Sequence, residues 1–134
     1  MNLKLITTLL IIPGIFACTK QSQSSDSAEM YEPSELSQMM RDIVTWSKET
    51  KLLLLKGEVI NDVPNQFYEL ASQKATRDEH KDAAFQGMVP EYLEALKGID
   101  RKDSQQYYYD ASIQACKTCH AVYCGGPLSI INQL

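Results

Sequence analysis

The sequence is poor in the features that announce the commonest function classes. Basic residues are not in excess: 13 Lys and Arg face 17 Asp and Glu, a formal charge of −4. That excludes the Lys/Arg-rich footprint with which a protein neutralises nucleic-acid phosphates, so no nucleic-acid partner is expected. No apolar run is long enough to cross a bilayer: the longest, Leu5 to Phe16, has about 12 residues where a spanning helix needs about 20. Beyond residue 32 there is no sustained alternation of the kind a half-buried strand shows, and no internal repeat. No nucleophile–base constellation, phosphate loop or paired-carboxylate signature stands out, so an enzyme is not expected. Cysteine and histidine are scarce, with 4 and 2 copies. Most of them are gathered between positions 116 and 124, and any chemistry is to be sought there.

What is present has the balance of an ordinary globule, 44% hydrophobic and 22% charged, in a chain of 134 residues with room for one domain plus a targeting segment. Met1–Lys4 is a short positive start, and the apolar run that follows has the dimensions of a signal-peptide core. It closes with Ile15-Phe16-Ala17-Cys18, which resembles the lipobox of bacterial lipoproteins. The resemblance implies cleavage after residue 17 and lipidation of Cys18, with an ordinary secretory signal and a stray thiol as the alternative. Several acyl chains anchor firmly, at about 0.8 kcal/mol per buried methylene. Residues 18–32 are rich in Ser, Gln, Asp and Lys and read as a flexible tether. Residues 33–134 form the folded domain, exported, held to the cell-envelope membrane and facing the periplasm. Without residues 1–17, which carry only Lys4, twelve basic side chains face seventeen acidic ones, and a partner with a basic docking patch would suit.

Helical periods run through that domain. Ser34 suits the N-cap of a first helix ending before Gly57, a natural left-handed C-terminal position; Ser34–Lys56 would be about 34 Å long. A second helix is predicted from Asp62 and Pro64 through Phe67, Leu70 and Ala71. Ala75–Lys81 reads as a loop. A third helix carries Phe85, Met88, Tyr92, Leu93 and Leu96 towards Gly98, either kinked at Pro90 or split there into two. The fourth begins near Arg101–Ser104, runs through Tyr107–Tyr109 and Cys116 to Tyr123, and stops at Cys124-Gly125-Gly126-Pro127. Ser129–Leu134 is an apolar tail that would cover one end of the core. Four helices with short connections predict an all-α fold, an antiparallel four-helix bundle.

Cys116-Lys117-Thr118-Cys119-His120 has the spacing of a c-type haem attachment sequence. On a helix, residues i and i+3 project from one face, so both thiols reach the vinyl groups on one porphyrin edge. The residue at i+4 lies beside them and offers its imidazole to the iron as a strong-field ligand. Attachment follows export, which agrees with the signal segment. The same residues admit other uses. Cys116 and Cys119 could pair as a disulfide, though a bridge within one helix constrains little. Zinc on Cys116, Cys119, His120 and Cys124 would need a tetrahedron from what one helix presents as a stripe. A thioredoxin-like motif lacks its βαβ setting.

At this point the chain resembles the class II cytochromes c, which include cytochrome c′ and the low-spin cytochrome c556 type. Their Cys-x-x-Cys-His also sits near the C-terminus, on the last of four helices. The resemblance spans roughly Pro33–Gly125 and is specific in the haem motif. It implies one covalent haem c on the last helix, with Cys116 and Cys119 as thioethers and His120 as proximal iron ligand. In that family the first helix passes over the distal haem face, presenting a Met ligand or a non-ligating apolar residue. Met40 falls at that place, with Met39 the competitor in the adjacent register. Tyr123 matches the family's aromatic residue three places after the His. Cys124 stands where a basic residue usually follows, and Leu36 where an Arg commonly lies, so the haem propionates lose their usual partners. The Cys124–Leu134 tail is similar to that of cytochrome-like lipoproteins from Bacteroidetes-type bacteria. Family members often pair through their early helices, which makes a homodimer an expectation.

His80, in the charged run Arg77–Lys81, reads as a surface residue, with bis-His ligation as the lesser reading. Cys124 reads as a partly buried thiol, Tyr107–Tyr109 as packing and surface, and Trp46 as core. The expected function is electron transfer with redox partner proteins at the membrane. The alternatives are a five-coordinate haem that binds nitric oxide or another small gas, and a haem-free helical interaction lipoprotein.

Overall fold

Ser34 begins the first helix in the way its position predicts. Its hydroxyl accepts from the Ser37 N–H at 3.2 Å and caps α1, Glu35–Leu55. The other end closes on Gly57, whose φ of +73° is open to glycine without strain. Gly57 N–H returns to the Leu54 carbonyl and Glu58 N–H to that of Leu53, both at 2.9 Å, a Schellman closure. These elements belong to a computed structural model that describes residues 32–134; the signal segment, Cys18 and nearly all of the tether lie outside the described residues.

The described residues are all-α, with no strand. After α1 come α2, Ala83–Ile99; α3, Gln105–Tyr123; and a short α4, Leu128–Ile131. Two 3-10 turns, Asn65–Glu69 and Asp78–Lys81, lie between α1 and α2. Asp82 caps α2 by accepting from the Phe85 N–H at 2.9 Å. Pro90 is accommodated inside α2, which runs through it as one helix.

Facing pairs fix how the helices run. Phe85 meets Tyr123 edge to face, and a Cβ on Gly98 would run into the Tyr108 ring, so α2 and α3 are antiparallel. Gly98 is needed there for close approach. On the other side of α3, the Tyr109 hydroxyl donates to the Ser47 carbonyl at 3.0 Å, tying in the middle of α1. Leu36, Met39 and Ile43 of α1 join Phe85, Val89, Leu96, Tyr109 and Ile113 in the core. Ile131 of α4 seals one end of it, as the apolar tail predicts, and Lys51 reaches the Gln133 carbonyl at 2.8 Å.

The predicted second helix departs from expectation. Only a 3-10 turn forms at Asn65–Glu69, in a connection that is otherwise irregular. The reason is that side chains, not helical neighbours, satisfy its backbone. Buried Gln105 accepts from the Ile60 N–H at 2.9 Å and donates to the carbonyls of Ile60 and Ile99 at 2.7 and 2.8 Å. Asp100 accepts from the Val63 N–H and from the Tyr68 hydroxyl. Thus held, Ile60, Val63, Phe67 and Leu70 are all buried at helix-like spacing although no α-helix forms there. The connection starts beside Gln105 and ends where Lys74 accepts from the Leu36 N–H at 3.0 Å, at the beginning of α1.

Candidate functional site

The Cys116–His120 turn belongs to the regular part of α3, so its three donors have the one-face spacing that the sequence predicts. Cys116 and Cys119 are half-buried free thiols. Burial first, and then the neighbouring Cys119, pushes the Cys116 thiol up to about 12. Burial also raises Cys119. Both are therefore held as neutral S–H groups in apolar surroundings.

His120 is half-buried, and its Nδ1 lies 3.0 Å from the Cys124 carbonyl oxygen. A carbonyl can only accept, so Nδ1 carries the proton and donates. The remaining nitrogen, Nε2, is then the lone-pair donor, the tautomer in which imidazoles bind metals. The Cys124 N–H bonds back to the His120 carbonyl at 3.2 Å, so the end of α3 fixes the ring. Tyr123 hydrogen-bonds Asp82 and so ties the same end of α3 to the start of α2. That bond, followed by the Phe85 N–H, lowers the Asp82 carboxyl below the ordinary range.

A small apolar cavity is walled by Cys116, Cys119 and His120 on one side and by Met40 of α1 on another, with Met88 and Tyr92 from α2. A larger, more open cavity shares Met40, Phe85, Cys119 and His120 with it, so the two adjoin at these side chains. The structure separates the two methionines: Met40 lines both cavities, whereas Met39 is 7% exposed and packed in the core. Trp46 packs edge to face on Phe67, a core contact. Tyr109 is buried, Tyr108 is half-buried under the Arg101 guanidinium and Tyr107 is exposed, in keeping with packing and surface roles.

Three features differ from the sequence reading or go beyond it. His80 is half-buried and lines the outer cavity, because the 3-10 turn at Asp78–Lys81 folds it against the start of α1. Cys124 is exposed, although its carbonyl serves His120. Tyr92 is buried in the inner wall and its hydroxyl has no hydrogen-bond partner. Helical period gives Tyr92 an inward face, but an orphaned hydroxyl is a property of packing.

The donor set selects among the uses of the motif. No three His, Cys, Asp or Glu among the described residues converge as a metal ion would require, so the Cys116, Cys119, His120 and Cys124 zinc reading has no geometry behind it. Two thiols, one imidazole and a thioether around an apolar space instead suit a flat, apolar, covalently held metal complex. No helix among the described residues is long and apolar enough to cross a membrane. Compared with models of known families, with curated proteins and with solved structures, the chain matches none.

Proposed function

We propose that the protein is a monohaem c-type cytochrome that transfers electrons outside the cytoplasm, tethered to the membrane through a lipidated Cys18. The observation that carries this reading is one shared cavity: Met40 on α1 and the Cys116, Cys119 and His120 turn on α3 wall the same apolar space. The chain would hold the haem through the Cys116 and Cys119 sulfurs, with His120 Nε2 and the Met40 thioether as the donors available to its iron. When bound, the haem supplies a one-electron iron couple, whose potential thioether ligation raises relative to two imidazoles.

The chain's own residues do the rest. The Cys124 carbonyl orients His120 and raises its basicity through Nδ1. The tie between Tyr123 and Asp82 holds that turn of α3 to α2. Apolar side chains exclude water from the inner wall, which keeps the redox centre's surroundings fixed as its charge changes. The pairings of α1, α2 and α3 support an antiparallel bundle of four legs, with the 3-10-containing connection standing in for a second helix.

A second reading rests on Tyr92, whose unpartnered hydroxyl offers a donor inside the inner cavity, as a site for a small polar gas would. The reduced visible spectrum separates the two. Electron transfer is expected to show a sharp low-spin α band that Met40→Ala abolishes while haem staining on a denaturing gel persists. Rapid carbon monoxide binding by the untreated protein would instead support an open site. A stain-negative protein from a host competent in haem attachment would leave only a helical interaction lipoprotein.

A further inference from the structure

We infer that His80, with Ser34 and Ser37 of the first turn of α1, forms the carboxylate-binding end of the site and holds the haem propionates. This rests on the haem reading and deepens it. The starting point is the unequal distribution of polar groups between the two adjoining cavities. Cys116 lines only the inner one; Ser34, Ser37, Thr76 and His80 line only the outer one.

The substitution pattern of a haem then sets the direction. Its vinyl-derived thioethers and its propionates lie on opposite sides of the iron. A haem held by Cys116 and Cys119 would have its carboxylate edge on the side away from Cys116, which is the side of the outer cavity. Tyr92 cannot serve that edge, because it lies beside Cys116. Among the described residues no Lys or Arg lines the outer cavity, so other donors there would meet the charge.

Such donors are in place. Carboxylates leaving bulk water need hydrogen bonds, and charge-assisted ones are the strongest available. The first turn of α1 is the positive end of a 21-residue helix dipole; its Leu36 and Ser37 N–H groups are taken by the Lys74 carbonyl and Ser34 Oγ, so the free donors there are side chains. Its own acid, Glu35, is engaged with the Lys74 N–H at 3.0 Å. Ser34 Oγ lies 3.0 Å from Thr76 Oγ1, which ties the segment leading to His80 onto that turn. His80 is thereby carried against the start of α1, and its half-burial has a use that a solvated surface residue would not have.

The test uses the full-length holoprotein, matured in a host that attaches haem. In the wild type, proton NMR is expected to show an Overhauser contact between the His80 imidazole and the propionate methylene protons. Resonance Raman is expected to show the propionate-bending band shifted in His80→Ala and returned towards the wild-type position in His80→Gln, which keeps a donor. The α band should stay low-spin in both variants. Attached haem whose propionates contact other side chains, with an unmoved bending band, would overturn this inference and leave the haem reading standing. Loss of the low-spin band in His80→Ala would make His80 an axial ligand and also overturn it. A protein without attached haem would overturn both.

Discussion

Met39 and Met40 are chemically identical neighbours with different surroundings, and their variants should part accordingly. Met39→Ala opens a hole in the core and is expected to cost about 2–5 kcal/mol in denaturant unfolding, with the spectrum unchanged. Met40→Ala is expected to change the spectrum much more than the stability, because Met40 is only half-buried at the cavity. Asp82 gives a pH-dependent counterpart. Its carboxyl is lowered in the folded state, chiefly by Tyr123, so the stability it contributes is present above its unfolded pKa of about 3.9. That contribution is lost as pH falls through the lower folded value. Asp82→Asn keeps a good N-cap, so thermal midpoints of the two proteins should converge as pH falls below the unfolded value and through the lower folded one. Midpoints that stay apart would show that the ionised Asp82 bond contributes little.

At the scale of elements, the close packing of α2 on α3 depends on Gly98. Gly98→Ala drives a methyl group into the Tyr108 ring and is expected to destabilise by about 1–3 kcal/mol. In a Tyr108→Ala background the same change should be neutral or stabilising, since Ala exceeds Gly in helix propensity by about 1 kcal/mol. Equal costs in both backgrounds would show that the ring is not what Gly98 accommodates. Gln105 holds the irregular connection to the end of α2 by three buried hydrogen bonds, two to Ile60 and one to Ile99. Gln105→Leu leaves those backbone groups unpaired and is expected to cost about 3 kcal/mol, read from urea unfolding. These two positions also mark what the sequence conveys. Ser34, Gly57 and the 3.6-residue period give α1 nearly to the residue, because capping and periodicity are local. Residues 60–70 carry an equally apolar pattern, yet their backbone is satisfied by Gln105 and Asp100, far along the chain. No local rule registers such partners, so a helix is predicted where a 3-10 turn stands. The one-face placement of Cys116, Cys119 and His120 is legible because it follows from their spacing on a regular helix. The inward placement of His80 and the orphaned Tyr92 hydroxyl arise only when separate segments meet.

For the whole molecule, the described domain brings α1, α2 and α3 together around one apolar cavity beside the Cys116–His120 turn. On the proposed function, a lipidated Cys18 would keep such a carrier near its membrane partners. All of this depends on the two sulfurs of α3 holding one porphyrin. The most direct test is the intact mass of protein matured with the haem-attachment machinery, measured under denaturing conditions after acid extraction and read beside its Soret absorbance. The account predicts one haem's added mass in the wild type and none in the Cys116→Ala/Cys119→Ala double variant. A wild-type protein with the bare polypeptide mass and no Soret band would contradict it.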